Sequence, residues 1–551
     1  MRMSDQHGHD YDDTDVAVGG NAEQARLLGE PDADAAAAAP PALPRHRRQR
    51  PAHRSAFSTT SIKSIASIHV PKVHDGDTIV NLLCIVLLVA SSAGGFFTIP
   101  MTRLVEDAVC HKHYEQMQRV DGPIDESLCK LDSIQERVAY IFAMYEFIQS
   151  ICGFTAAFPW GIAADRIGRK MVVGLAITGM GLACLWIMMV LAWYTVIPLW
   201  VLLLAGGFHF VGGGNAMISA SLLSMVSDVI PEERRAVSFM RFHVAAILGN
   251  LVSPALCSIM MAQTGPWPCM WVSLALLFGG TAAFMFIPET GKHKQQDAQE
   301  EASGHPVGFK AHVAHIYDRL LESLSIVKSP SVILLLLTCT VSIPTIVAIL
   351  QFLVQFISKR YHMSIGDTGY VQTAYGIAQV FQSLLVLPYI SKVLVSDSTP
   401  WPFKMKDEKT RDLWLARYSY GALVLGFLWM GAATSLASFV VGLFVLSLGS
   451  GFNSITRSLM SLYVDPEHRS RLFSLVGMAE VVGSMYGPPM LAGLFALGMR
   501  LGGAWIGLPY WGMAGLCLLV IGALVFVRVP RDRRSEDDET AVPEHRQDEA
   551  R

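Results

Sequence analysis

Charge is scarce in this sequence. Only 16% of its 551 residues are charged, 52% are apolar, and the mean hydropathy is +0.38. A soluble globular chain carries about a quarter charged residues, so repeated passage through lipid is the natural reading. No G-x-x-x-x-G-K-[ST] phosphate loop is present, which argues against an ATP-driven pump. No H-E-x-x-H, no G-x-S-x-G and no paired carboxylates occur, so nothing supports a membrane enzyme. The nine cysteines include no C-x-x-C pair and no Cys/His group at metal-ligand spacing, and neither metal nor cofactor is expected. A basic groove-forming domain is lacking too, which leaves no case for nucleic-acid binding. N-x-S/T sequons are absent.

What the sequence does have is apolar runs of membrane-crossing length, about 20 residues each. Twelve are read at 79–100, 136–160, 171–192, 197–226, 236–263, 267–287, 330–357, 367–391, 413–434, 438–463, 472–498 and 504–528. They are numbered here as spans 1 to 12. A charged connection, 288–329, parts them six and six. The expected fold is all-α, with twelve transmembrane helices in two pseudo-symmetric six-helix bundles. Residues 1–75 are expected as a disordered cytoplasmic tail, rich in Ala (Ala35 to Ala39) and Ser/Thr (SAFSTTSIKS), with span 1 serving as the targeting signal. The bundles are expected at 76–290 and 330–528, joined by a cytoplasmic loop, 291–329, and followed by a tail, 529–551. Within the loop, Val313, Ile316, Leu320, Leu324 and Val327 share one helical face, as in a helix lying on the membrane surface.

Lys and Arg gather in the turns after spans 2, 4 and 10 and in the C-terminal tail, while the turns after spans 3, 5 and 9 hold none. Both termini are therefore expected in the cytoplasm. Arg103, Lys112, Arg119 and Lys130 in the first outer loop depart from this bias. The halves resemble each other: MVSDVIPEERRAVSF from Met225 and MSLYVDPEHRSRLFS from Met460 superpose at an offset of 235, which also places Pro254 on Pro489. Such a repeat points to a duplicated six-helix unit.

Between spans 2 and 3 the chain reads GIAADRIGRK, from Gly161 to Lys170. A turn this short makes the two spans antiparallel neighbours. Gly161 is read as permitting close backbone approach, Asp165 as matching a helix N-terminus, and Arg166, Arg169 and Lys170 as holding the loop inside. The pattern G-x-x-x-D-R-x-G-R-K, with Gly168 in the turn, resembles the loop between spans 2 and 3 of major facilitator superfamily transporters. FIPETGK after span 6 is similar to the P-E-T-type sequence of many members, and SKRYHMSIGDTGY, RDLWLAR and LGSGFNSITRSLMS look like fungal members, many of them secondary-metabolite or drug exporters. The resemblance implies proton coupling and alternating access. It is incomplete. Where drug/proton antiporters carry an Arg in span 4, this chain has GGFHFVGGGN, with Phe208 or His209 in its place. Their span 5 G-x-x-x-G-P survives only as Gly249 with Ser253-Pro254, and the intact form, Gly483 with Gly487-Pro488, sits in span 11.

Polar residues inside spans are costly and so draw attention. Glu146 lies about 14 residues, roughly 21 Å, from the inner end of span 2. With Ser150, Gly153, Ala157 and Gly161 it forms a stripe expected to pack on another helix. Glu146 and His209 are the candidates for proton coupling; a static packing role is the alternative for Glu146. Arg457 of span 10 and Glu480 of span 11 sit at matching depth as a candidate ion pair. Arg241 is read as snorkelling and His243 as packing. Gln351, Gln355 and Gln379 are candidates for substrate binding, with Gln372 and Gln382 nearby; bonding between helices is the other reading. Ser91, Ser92, Gly94 and Gly95 weaken span 1 near mid-membrane. Cys110 and Cys129 face an oxidising compartment and are expected to form a disulfide, the alternative being two free thiols.

The sequence thus indicates a proton-gradient-driven transporter of a small molecule in a lipid bilayer, in the cell membrane or an internal one such as the vacuole, and a monomer is expected. Export of a small organic molecule is favoured over uptake of an organic acid, sugar or folate-like solute, and over a substrate-sensing receptor on the same scaffold.

Overall fold

Lipid offers no partners for backbone polar groups, so apolar runs this long must satisfy them within helices. The computed structural model describes residues 76–116, 124–230, 232–287, 330–387, 389–390, 408–461, 463 and 469–527, and all of them are helix or short connection. The tail 1–75, the helix at 309–328, the PETG sequence, the C-terminal tail, Arg119, Pro231 and Pro466 lie outside the described residues. So do the side chains of Asp165, Arg166 and His243.

Every expected span has a helical counterpart. Among the described residues nine helices are long and apolar enough to cross a membrane, in spans 1, 2, 3, 5, 6, 7, 10, 11 and 12. Span 9, Glu408–Ala432, is continuous but carries Arg411, Asp412 and Arg417 in its opening turns. Span 8 is Thr368–Phe381 followed by a π-turn, Gln382–Val386. Span 4 is divided: a 3-10 stretch, Leu199–Phe210, precedes the helix Gly214–Val229. The division falls on Gly212, Gly213 and Gly214, whose φ angles are 79°, 80° and 62°. Only glycine takes this conformation in series without strain, and a Cβ on Gly212 would run into the Ala176 backbone of span 3.

Two boundaries differ from the sequence reading. Span 1 is one helix, Gly76–Gln116. At 1.5 Å per residue its 41 residues reach about 61 Å, twice the hydrocarbon thickness, so it continues well beyond the expected end at residue 100. The Gly161–Lys170 segment is hardly a loop: span 2 stays helical to Ile167, span 3 starts at Arg169, and Gly168 alone, at φ 101°, turns the chain.

The same packing occurs in both halves. Span 5 lies against span 1, with Gly249 on Leu88 and Ser91. Span 11 lies against span 7, with Gly487 on Pro344 and Gly483 on Thr340. Each half has its own apolar core, and that of the C-terminal half centres on Phe352, Phe356, Phe439, Phe495 and Tyr510. The halves meet along spans 2 and 11 and along spans 5 and 8. In the second seam Thr373 donates to the Leu251 carbonyl at 3.1 Å.

Candidate functional site

A cavity lies between the halves, lined by spans 1, 2, 7 and 11. Thr102, Phe142, Glu146, Gln351, Phe352 and Gln355 give it its chemistry; small and aliphatic residues such as Ala139, Ala143 and Leu491 complete the wall. Glu146 is half-buried, and the Gln351 side chain is its hydrogen-bonding neighbour.

Span 7 is broken where it passes this cavity. Pro344 has no N–H for the Thr340 carbonyl four residues back, and the helix interrupts at Val341. Tyr486 of span 11 donates its hydroxyl to that carbonyl at 3.1 Å. A second break falls at Gln351, between Ser342–Leu350 and Phe352–Tyr361. Here the Gln372 amide of span 8 donates to the Leu350 carbonyl. The break places Gln351 beside Glu146, and neighbouring spans supply the backbone partners that the break removes.

Above the cavity, at the end of the molecule holding the disulfide, a polar cluster joins the halves. Cys110 and Cys129 are bonded, their Cα atoms 5.3 Å apart, tying the short helix Glu126–Lys130 to the end of span 1. Lys130 Nζ lies 2.7 Å from Glu106 Oε1 and 3.0 Å from Glu126 Oε1, and Glu106 also accepts from the Gln135 amide at 2.5 Å. Lys130, Glu106 and Gln135 are all buried. From the other half, Gln355 donates to the Gln135 carbonyl at 2.8 Å, Lys359 reaches Asp132 at 2.5 Å, and the Ile365 amide donates to Glu126 at 2.9 Å. Arg500 of span 11 pairs with Glu136 at 2.6 Å. Burial alone would raise the Glu126 carboxyl; Lys130, the Ile365 amide and Arg103 outweigh it and hold the group below its ordinary range.

Further along span 2 the small-residue stripe is packed less closely. Ser150 still donates to the Ser484 carbonyl of span 11 at 3.5 Å, but a Cβ on Gly153, Gly161 or Gly477 would meet nothing within 4 Å. The small-residue stripe below Glu146 therefore borders open space at Gly153 and Gly161. The close approach read for Gly161 from the sequence is not seen among the described residues.

The structure brings Glu146, Gln351 and Gln355 into one cavity and leaves other sequence candidates outside it. Gln379 lies further along span 8, and Gln382 donates to the Leu448 carbonyl at 3.0 Å. His209 is buried at the end of the 3-10 half of span 4, with no partner for its Nδ1 among the described residues. Arg457 and Glu480 pair at 2.5 Å between spans 10 and 11, away from the cavity lining. Arg241 is exposed and 3.9 Å from Asp77. The cross-half residues Asp132, Gln135, Glu136, Lys359 and Arg500 went unnoticed in the sequence. For Asp132, Glu136, Lys359 and Arg500 the signal was present as opposite charges at the matching ends of spans 2, 7 and 11. The basic residues that departed from the charge bias are partly explained as well, because Arg103 and Lys130 face Glu106 and Glu126. Among the described residues no group of His, Cys, Asp and Glu is arranged to hold a metal ion.

Comparison with known proteins gives this geometry its context. The "MFS efflux pump atnC" of Emericella nidulans is 28% identical over 79% of this chain and 85% of its own length. The "Efflux pump ustT" of Aspergillus flavus is 25% identical over 80% of this chain and 86% of its own. Among solved structures, a D-xylose-proton symporter superposes with a TM-score of 0.55 at 14% identity, covering 83% of this chain and 98% of the symporter, a likeness of fold alone. The family model of the Major Facilitator Superfamily matches residues 136–403 and 412–548. That match spans most of the chain, and with it this protein belongs to the Major Facilitator Superfamily, a multi-pass membrane transporter of small molecules and not an enzyme.

Proposed function

We propose that this protein exports a small organic molecule by alternating access, driven by a proton gradient, with both termini in the cytoplasm and the disulfide end outside. The bundles 76–290 and 330–528 rock about the cavity, and the loop 291–329 links them. The observation that carries this reading is the placement of Glu146: a carboxylate in a cavity between the halves, beneath a polar seal on the disulfide side. A carboxylate there exchanges its proton with whichever side is open, and substrate exchange at the same cavity couples the two fluxes. The efflux function named for the relatives from Emericella nidulans and Aspergillus flavus supports the outward direction.

Within this reading Glu146 carries the proton, with Gln351 and Gln355 facing the substrate. Arg457 and Glu480 pair spans 10 and 11 within the C-terminal bundle, His209 is a second candidate for proton coupling, and Gly161, Asp165, Arg166, Gly168, Arg169 and Lys170 set the balance between inward- and outward-open states. The protein works as a monomer in the cell membrane or an internal membrane such as the vacuole.

Metabolite profiling of cells and medium, with and without the gene, tests the direction. Export predicts a compound that accumulates inside deletion cells and falls in the medium. Loss of a compound acquired from the medium would instead assign uptake.

A further inference from the structure

The cavity's polar atoms are oriented by groups outside it. Lys130 Nζ donates to both Glu106 oxygens, at 2.7 and 2.9 Å, so both serve as acceptors. The Gln135 amide nitrogen must therefore face Glu106, as it does at 2.5 Å, and this turns Gln135 Oε1 the other way. Gln355 meets two acceptors, the Gln135 carbonyl at 2.8 Å and Gln135 Oε1 at 3.2 Å, so its nitrogen is committed to them and its Oε1 is left over. Thr102 spends its hydroxyl hydrogen on the Thr98 carbonyl at 2.8 Å, and Gln351 is engaged with Glu146. Among the described residues no Lys, Arg or His lines the cavity. Among these side chains only the second N–H of Gln351 is uncommitted as a donor, while the oxygens of Glu146, Gln351, Gln355 and Thr102 can accept.

We infer that the cavity selects its ligand by hydrogen-bond donation, taking an aromatic compound with an amine, amide N–H or hydroxyl group and rejecting carboxylates and phosphates. Phe142 and Phe352 supply the apolar wall for a ring. A donor entering beside Glu146 and Gln355 finds acceptors waiting. An anion finds no cationic donor among the described lining residues, loses its hydration and meets Glu146, whose carboxylate shares its sign. The inference deepens the proposed transport function and rests on reading the cavity as the transport site.

Three indoles that differ in one group test this by calorimetric binding to the full-length protein in nanodiscs: tryptamine, the neutral alcohol tryptophol, and indole-3-acetate. Tryptamine and tryptophol are expected to bind at least about tenfold tighter than indole-3-acetate. Glu146→Gln should narrow the gap between tryptamine and tryptophol, because it keeps an acceptor and removes the charge. Ala143→Phe, which fills the cavity, should abolish binding in protein whose thermal unfolding shows it folded. Equal or tighter binding of indole-3-acetate, binding of none of the three, or binding that survives Ala143→Phe overturns the inference. The measurement involves no gradient and no net flux. Selective binding without proton-driven export would defeat the export reading alone; proton-driven export confined to anions would defeat this inference alone.

Discussion

Lys359, near the end of span 7, lies 2.5 Å from Asp132 at the start of span 2, so a cation of the C-terminal half closes on a carboxylate of the N-terminal half. The same ammonium donates to the Lys130 carbonyl at 2.5 Å, on the helix that the disulfide holds. A bilayer protein that opens this end must break both contacts. Asp132 is well exposed, so the pair is worth about 0.2–1 kcal/mol, with the carbonyl contact adding to it. Lys359→Met should therefore shift the balance towards the state open on the disulfide side, by about twofold to fivefold. The check is labelling of a cysteine introduced at Ala139, in the cavity, by an impermeant maleimide added from outside. An unchanged labelling rate would remove Lys359 from the seal.

The disulfide positions that seal. Closing a loop with 19 residues of separation stabilises by about 3 kcal/mol, largely through the unfolded chain. Neither Cys110 nor Cys129 should react with an impermeant maleimide until an impermeant reductant is added. Replacement of both by Ser should lower the melting temperature and speed labelling at Ala139. Immediate labelling of both cysteines without reductant would show two free thiols.

Glu126 gives the seal a pH dependence whose sign is fixed. Lys130, the Ile365 amide and Arg103 hold its carboxyl below the ordinary range despite burial. The contribution is thus present above the ordinary carboxylate value and is lost as pH falls through the depressed one. Glu126→Gln should lower the melting temperature at neutral pH, and the difference from wild type should vanish on acidification below the usual carboxylate range. A difference that grew with acidity would reverse the assignment.

Gly168 makes the whole turn between spans 2 and 3 at φ 101°, where an L side chain is strained. Gly168→Ala should cost about 1–3 kcal/mol and reduce surface expression. Asp165→Asn or loss of Arg169 should instead leave expression intact and lower turnover more than substrate binding, since the segment lies far from the cavity and can act only on the conformational balance. Flux and ligand affinity measured on the same vesicles separate these outcomes.

Much of this was legible from residue spacing. All twelve spans, the division into halves and the tight reversal between spans 2 and 3 follow from apolar run length and one basic motif, because lipid leaves a backbone no choice but helix. Glu146 stood out for a related reason: an isolated carboxylate in an apolar run is conspicuous. Its grouping with Gln351 and Gln355 was not visible, since it depends on the break that Pro344 and Gln351 put into span 7 and on how two bundles face each other. The seal was hidden for a different reason. Asp132, Glu136, Lys359 and Arg500 sit at span ends, where charges are ordinary, and only the folded chain reveals that they meet. Span 1 ran longer than its apolar stretch because paired and buried polar groups, Glu106 with Lys130, extend a helix without extending its hydropathy.

Proton transfer at Glu146 is decided by Glu146→Gln, because the amide keeps the shape of the carboxyl and much of its hydrogen bonding and cannot titrate. In everted vesicles with an imposed pH gradient, the variant should express and fold normally, still bind the substrate found by metabolite profiling, and lose gradient-driven transport. Transport by Glu146→Gln with wild-type pH dependence would contradict the claim and leave Glu146 a packing residue.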